Sequence, residues 1–146
     1  MSRRYWETRD EGEATERYLK PILEGILGET LEKQVETAGL DFYSLFQGWH
    51  EIKGRDSFYR SDDRFAEKGW WVGYPKVLAA RAAKEPVTFW YYFPSDHTLW
   101  KLPFEDVLFS QFKVFPNAQG QPTIAIPKKF WTQVKLPVKK VPLFVD

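Results

Sequence analysis

The sequence contains no cysteine, so no disulfide can staple the fold and no thiolate can hold a metal. It has only two histidines, His50 and His97, which leaves carboxylate oxygens as the main ligands for any bound cation. Long apolar runs are also missing: none approaches the roughly 20 residues that a membrane span needs. The first twenty residues are too polar for a secretory signal core. These two features lead to the expectation of a cytoplasmic protein with no membrane partner. Internal repeats and low-complexity linkers are absent as well, which favours one compact unit over a string of modules.

At 146 residues the chain has the usual size of one domain. A single domain spanning 1–146 is therefore expected, with a core at about 8–106 and an extension at about 107–146. Aromatic residues make up 18% of the chain and include seven Trp, an excess that needs either a large aromatic core or an exposed stacking surface. The net charge is +1, but its distribution is uneven. Residues 1–60 carry nine basic against twelve acidic side chains, and residues 107–146 carry six against one. An acidic front and a basic tail suit a cation site beside a phosphate-binding surface, and a solvated Lys-rich terminus has the same composition.

Apolar residues at helical spacing (Ala14, Tyr18, Ile22, Ile26) predict a helix over 10–27, kinked or broken at Pro21 and stopped by Gly28. A strand ending near Leu45 and a second over 49–53, joined by the turn at Phe46-Gln47-Gly48, read as a hairpin. The polar, aromatic stretch over 54–70 reads as a long loop. A second helix is expected over 74–84, then an uncharged buried strand over 87–93, a turn at Pro94-Ser95-Asp96-His97, and a strand over 98–102. The tail offers two more strands, near 112–115 and 123–126. This order defines an α/β (α+β) chain.

Side chains alternate along a strand, so Glu51 and Lys53 share one face while Ile52 points to the other. If the two hairpin strands pair, Asp41 comes close to Glu51, and two carboxylates on neighbouring strands can hold Mg2+, a hard cation that prefers oxygen ligands. The carbonyl of Ile52 offers a further ligand. A carboxylate from the first helix would complete the set; Glu16 is the choice, with Glu13 on the same helical face as the alternative. Phosphodiester hydrolysis needs a cation to polarise the phosphoryl group and a second positive charge in the transition state, and Lys53 suits the latter role. Arg55, Arg60, Lys76, Lys128 and Lys129 are candidate nucleic-acid contacts, the last two beside the stackable rings of Phe130 and Trp131. Arg81, in the middle of the second helix, is a further candidate for contact with the strand backbone. His50 should face away from Glu51 and be structural, and His97 should sit exposed in its turn. Of Trp70 and Trp71, one should be core and the other exposed.

This arrangement resembles the PD-(D/E)XK nuclease superfamily, with Asp on one strand and Glu-x-Lys on the next. The segment Gly12-Glu13-Ala14-Thr15-Glu16-Arg17-Tyr18-Leu19 is similar to the first-helix motif of archaeal-type Holliday-junction resolvases. Leu40 stands where the family often has Pro, a position that carries no chemistry. The resemblance covers about 12–102. It implies a restriction-endonuclease-like α-β-β-β-α-β core with a central mixed sheet flanked by helices, here with a β-rich C-terminal extension. It also implies a Mg2+-dependent DNA endonuclease, with Mn2+ able to substitute, using Glu16, Asp41, Glu51 and Lys53. A symmetric junction substrate would require a homodimer. The alternatives from other classes are a non-catalytic nucleic-acid-binding module and a structural protein of a phage or mobile element.

Overall fold

The computed structural model describes residues 3–34, 39–54, 60–62 and 69–137, with the side chains of the first helix described from Gly12 onward. Helix α1 spans Arg3–Leu27 and does not break at Pro21. Leu19 and Leu23, one turn apart and both fully buried, clamp it on either side of that residue, while Pro21 itself faces solvent. The chain then forms β1 (Glu32–Lys33), β2 (Phe42–Ser44) and β3 (Gly48–Gly54). Next come β4 (Trp70–Gly73), α2 (Tyr74–Ala82), β5 (Val87–Phe93) and β6 (Thr98–Pro103). The remainder supplies a short α3 (Asp106–Phe109), β7 (Phe115–Pro116), β8 (Pro122–Ile126), a 3-10 turn (Lys128–Phe130) and β9 (Thr132–Val134).

Two sheets result. The larger is mixed, in the order β1-β2-β3-β5-β6-β9. Its strands pair antiparallel except β3 and β5, which run parallel and are joined across the sheet through α2. The smaller sheet, β4-β8-β7, is antiparallel. The described part of the segment after residue 106 is therefore built into the fold: β8 and Trp131 are part of the core, and β9 extends the large sheet.

Side-chain alternation divides the interior in two. On one face of the large sheet, Phe42, Ile52, Trp90, Tyr92 and Leu99 pack with Leu19 and Leu23 of α1. On the other, Phe89, Tyr91, Phe93, Trp100 and Leu102 pack with α2 and the small sheet. Trp70 is the hub of the second cluster, with its ring centroid 4.8 Å from Phe93, 5.3 Å from Trp100 and 5.4 Å from both Tyr91 and Trp131. The aromatic excess is thus largely core: Trp70, Trp90, Trp100 and Trp131 are buried, and Trp71 is the half-exposed member of its pair. Among the described residues no helix is long and apolar enough to cross a membrane.

The β2–β3 turn is tight. Gly48 has φ +85°, and a Cβ there would lie 2.3 Å from the carbonyl oxygen of Pro86, so only glycine fits. Behind the turn, on the α1 side, runs a buried polar chain. Trp90 donates through Nε1 to His50 Nδ1 at 3.0 Å, and His50 Nε2 lies 3.1 Å from Ser44 Oγ. Because Nδ1 accepts, the proton of the neutral ring must sit on Nε2 and be donated to Ser44. Burial holds His50 down to about 4, against the opposing field of Glu29. The expectation of a structural His50 facing away from Glu51 matches this placement. His97, expected to be exposed in its turn, is instead half-buried, with its Nδ1 2.9 Å from the Tyr92 hydroxyl.

Candidate active site

The paired residues of β2 and β3 end at Phe42 opposite His50. One step further, the same register puts Asp41 across from Glu51. Here side chains replace the backbone ladder: the Ile52 N–H donates to Asp41 Oδ2 at 3.0 Å, and the Asp41 N–H donates to Glu51 Oε1 at 3.2 Å. Each carboxylate is bonded to the strand that carries the other. The Asp41 carboxylate sits at the parting of two strands, where both faces of the sheet can reach it.

From the face of α2 comes Lys76, in the first turn of that helix. It lies 3.4 Å from Glu51 Oε2 and donates to the carbonyl of Gly39 at 2.9 Å. The Glu51 side chain retains only 12% exposure. Burial, with repulsion from Asp41, pushes its carboxyl up to about 8, even though Lys76 and the Asp41 N–H oppose the shift.

From the face of α1 comes Glu16. The helix crosses the end of β3 at contact distance because residue 54 is glycine: a Cβ there would lie 2.7 Å from Thr15 Oγ1. Glu16, the next residue, reaches Lys33 of β1, whose Nζ donates to Glu16 Oε2 at 2.5 Å and lies 3.8 Å from Asp41 Oδ1. Burial raises the Glu16 carboxyl above its ordinary value, Asp41 adds to the shift, and Lys33 works against it. A cleft of about 520 Å³ opens here, lined among others by Glu13, Glu16, Lys33, Asp41 and Lys76. Glu13 and Glu16 both line the cleft; Glu13 is exposed, and Glu16 is half-buried and accepts from Lys33.

Of the residues singled out from sequence, Glu16 of α1 and Glu51 of β3 each approach Asp41, the residue just before β2. Lys53 shares the face of Glu51 by alternation, opposite Tyr91 on β5, but its side chain is exposed and outside the lining of the cleft. Ile52 is buried under α1, with its N–H held by Asp41. Lys76, expected on a nucleic-acid surface, is instead bonded into the carboxylate cluster. Arg55 lies outside the described residues, and Arg60 is exposed and pairs with Asp62 at 3.0 Å. Arg81 pairs with Asp106 at 2.7 Å. Lys128 sits with its Nζ 4.9 Å over the Trp100 ring, and Lys129 lies 5.1 Å from that of Phe130. The residue that sequence reasoning missed is Lys33. Its only advance signal is a position on the strand before Asp41, and it takes the pairing of Lys33 with Phe42 to reveal it.

Among the described residues no group of three or more His, Asp or Glu side chains is arranged to hold a metal ion. The carboxylates are engaged by Lys33 and Lys76. Carboxylates are the donor type that a hard cation prefers, but the Glu16 and Glu51 carboxyls are raised chiefly by burial, and the cleft is lined by Arg17, Lys20, Lys33 and Lys76 against Glu13, Glu16 and Asp41, so the side chains as placed do not fit a cation. No family model, curated protein or solved structure matches this chain.

Proposed function

We propose that the chain is a divalent-cation-dependent endonuclease of the PD-(D/E)XK type, acting on DNA phosphodiester bonds. The observation that carries this reading is the meeting of Glu16 with Asp41 on a cleft edged with lysines, with Glu51 of β3 bonded to the Asp41 N–H. The order of elements supports it: a helix, three antiparallel strands, a crossover helix and a strand parallel to the third is the succession expected of a restriction-endonuclease-like core. In this chain the strand β4 is added ahead of α2, and the rest of the small sheet follows the core.

Glu16, Asp41, Glu51 and the Ile52 carbonyl would hold Mg2+, or Mn2+ in its place. The cation supplies polarisation of the phosphodiester and activation of water. The chain's own groups do the rest. Lys76 keeps Glu51 oriented from the α2 side. Asp41 stays fixed through the Ile52 N–H to Oδ2, and its other oxygen, Oδ1, faces Lys33 at 3.8 Å. Lys53, exposed on the face of Glu51, offsets the charge that builds on the phosphoryl oxygens. Burial pushes the Glu51 carboxyl up to about 8, so the ionised form, the one that would act as a ligand, becomes more populated as pH rises towards 8. Lys128 and Lys129 provide phosphate contacts away from the cleft. A homodimer in the cytoplasm is the assembly that a symmetric junction substrate would need. The alternative of a module that stacks bases on its aromatics gains little, because most of the described Trp rings are buried.

The test is a cleavage assay in Mg2+ on duplex, flap, single-stranded and four-way DNA. Asp41→Ala and Lys53→Ala should each lower the rate by on the order of 100-fold or more with the fold and most DNA affinity retained. Near-full metal-dependent cleavage by either variant would remove the assignment.

A further inference from the structure

Turns between strands favour small and polar residues, yet the β2–β3 turn carries Leu45 and Phe46, which are 76% and 84% exposed. The turn is fixed at three points. The Phe46 N–H donates to Glu29 Oε1 at 2.6 Å, the Gln47 side-chain amide donates to the Leu27 carbonyl at 3.1 Å, and the Trp49 N–H donates to the Pro86 carbonyl at 2.8 Å. Two adjacent apolar side chains are thus held outward on a rigid frame, as in an anchor whose backbone is ordered before any partner arrives.

A receptor of matching character lies along α1. Pro21, Ile22, Gly25 and Ile26 line a shallow groove of about 470 Å³ together with Pro137, and Ile26 is 39% exposed. Gly25 contributes the hollow. Glycine is a poor helix residue, and a Cβ at this position would meet nothing within 4 Å. No steric contact within the chain calls for glycine there, whereas close approach by a body outside the chain would. Anchor and groove meet at the end of α1, because Gln47 of the turn reaches Leu27, the residue after Ile26. None of the side chains that form the two features is charged, so joining them buries no ion.

We propose that the chain forms a twofold dimer in which Leu45 and Phe46 of each protomer fill the α1 groove of the other. Area decides between one such contact and two. Two side chains of this size bury about 300 Å² between them, and the walls they cover about as much again, so a single contact totals about 600 Å², the size of an incidental one. Two contacts related by a twofold axis reach about 1,200 Å², the lower limit of specific interfaces. An anchor and its receptor on the same chain supply the self-complementary surface that a closed dimer needs. An interface of this size implies micromolar affinity. Dimerisation through this pair is independent of the nuclease reading.

The test is sedimentation equilibrium of the full chain over roughly 1–500 µM. Wild type is compared with Phe46→Ser, with Gly25→Arg, with an equimolar mixture of these two variants, and with Val107→Ser, which alters a side chain 78% exposed on α3. Urea melts check that each is folded, as expected for changes at an exposed ring and in open space. Wild type and Val107→Ser should dimerise alike. Phe46→Ser removes both anchors of the dimer and Gly25→Arg blocks both grooves, so each should weaken dimerisation by about tenfold or more. The mixture should associate more strongly than either variant alone, because it pairs one intact anchor with one open groove. A monomeric wild type overturns the dimer and leaves the groove to another protein or to the chain's own last residues. Growth beyond the dimer, variants that dimerise as wild type does, a mixture no better than its components, or an equal loss in Val107→Ser overturns the pairing of anchor with groove.

Discussion

Glu51 and His50 are neighbours on β3 that face opposite sides of the sheet, and burial drives both towards their neutral forms. The consequences for stability have opposite signs. Glu51 titrates near 8 in the folded protein against 4.5 for the free group, so the stability tied to its proton is complete below 4.5 and is lost as pH rises to about 8. His50 titrates near 4 against 6.5, so its contribution is complete above 6.5 and is lost as pH falls to about 4. Between 4.5 and 6.5 the two slopes oppose each other; from 6.5 to 8 Glu51 acts without His50. In chelator, urea denaturation should show stability falling across that upper window by up to about 1 kcal/mol per pH unit, and Glu51→Gln should flatten the fall. A wild-type curve that is level from 6.5 to 8 would contradict the burial of an ionisable Glu51. The acidic pair was legible in the sequence because strand alternation and a short hairpin are local rules: a single turn at Gly48 fixes the register that sets Asp41 against Glu51. Lys33 was not legible. Its strand has two residues and no alternation to read, and its meeting with Glu16 depends on how α1 lies across the sheet.

At the level of elements, that lie is set by one contact. Gly54 ends β3 beneath Thr15, and the absent Cβ lets α1 descend far enough for Glu16 to reach the cluster. Gly54→Ala should lift the helix, costing about 1–3 kcal/mol in stability and lowering cleavage by on the order of 100-fold. Adding Thr15→Ala removes the two nearest atoms and leaves the Thr15 Cβ at 3.1 Å from the new methyl, so the double variant should recover most of both losses. A double variant no better than Gly54→Ala would show that the contact does not set the helix. Elements with strong local patterns were readable in advance: the uncharged run of β5 and the helix after Pro75 fall close to where their composition puts them. Strand β4 was hidden inside a supposed loop-to-helix join, because it exists only through pairing with β8, Trp71 against Ala125, more than fifty residues along the chain. Pro21 misled in the other direction. The missing helix bond there is offset by burial of Leu19 and Leu23, a tertiary gain that local propensity does not register.

Across the whole molecule, α1 covers one face of the large sheet, α2 and the small sheet cover the other, and the Lys128–Phe130 turn leads into β9, at the opposite edge of the large sheet from β1, which carries Lys33 of the acidic cleft. Grip and chemistry are therefore separable. Changing Lys128 and Lys129 together to Ala should reduce the slope of log Kd against log salt by about one to two while leaving Mn2+ affinity unchanged; an unchanged slope would assign the grip elsewhere. The same separation runs through the thickness of the sheet, where the chain from Trp90 through His50 to Ser44 lies on the side opposite Glu51. That chain touches β5, β3 and β2 in turn and tolerates only one alignment. If β2 and β3 slipped by one residue, His50 would turn to the other face, and the indole N–H and the imidazole would be buried without partners at a cost of about 1–3 kcal/mol each. The slipped states are also those in which Asp41 no longer faces Glu51. A histidine outside the acidic cluster thus acts as the key that indexes the three strands, and the acidic face on the far side inherits its alignment.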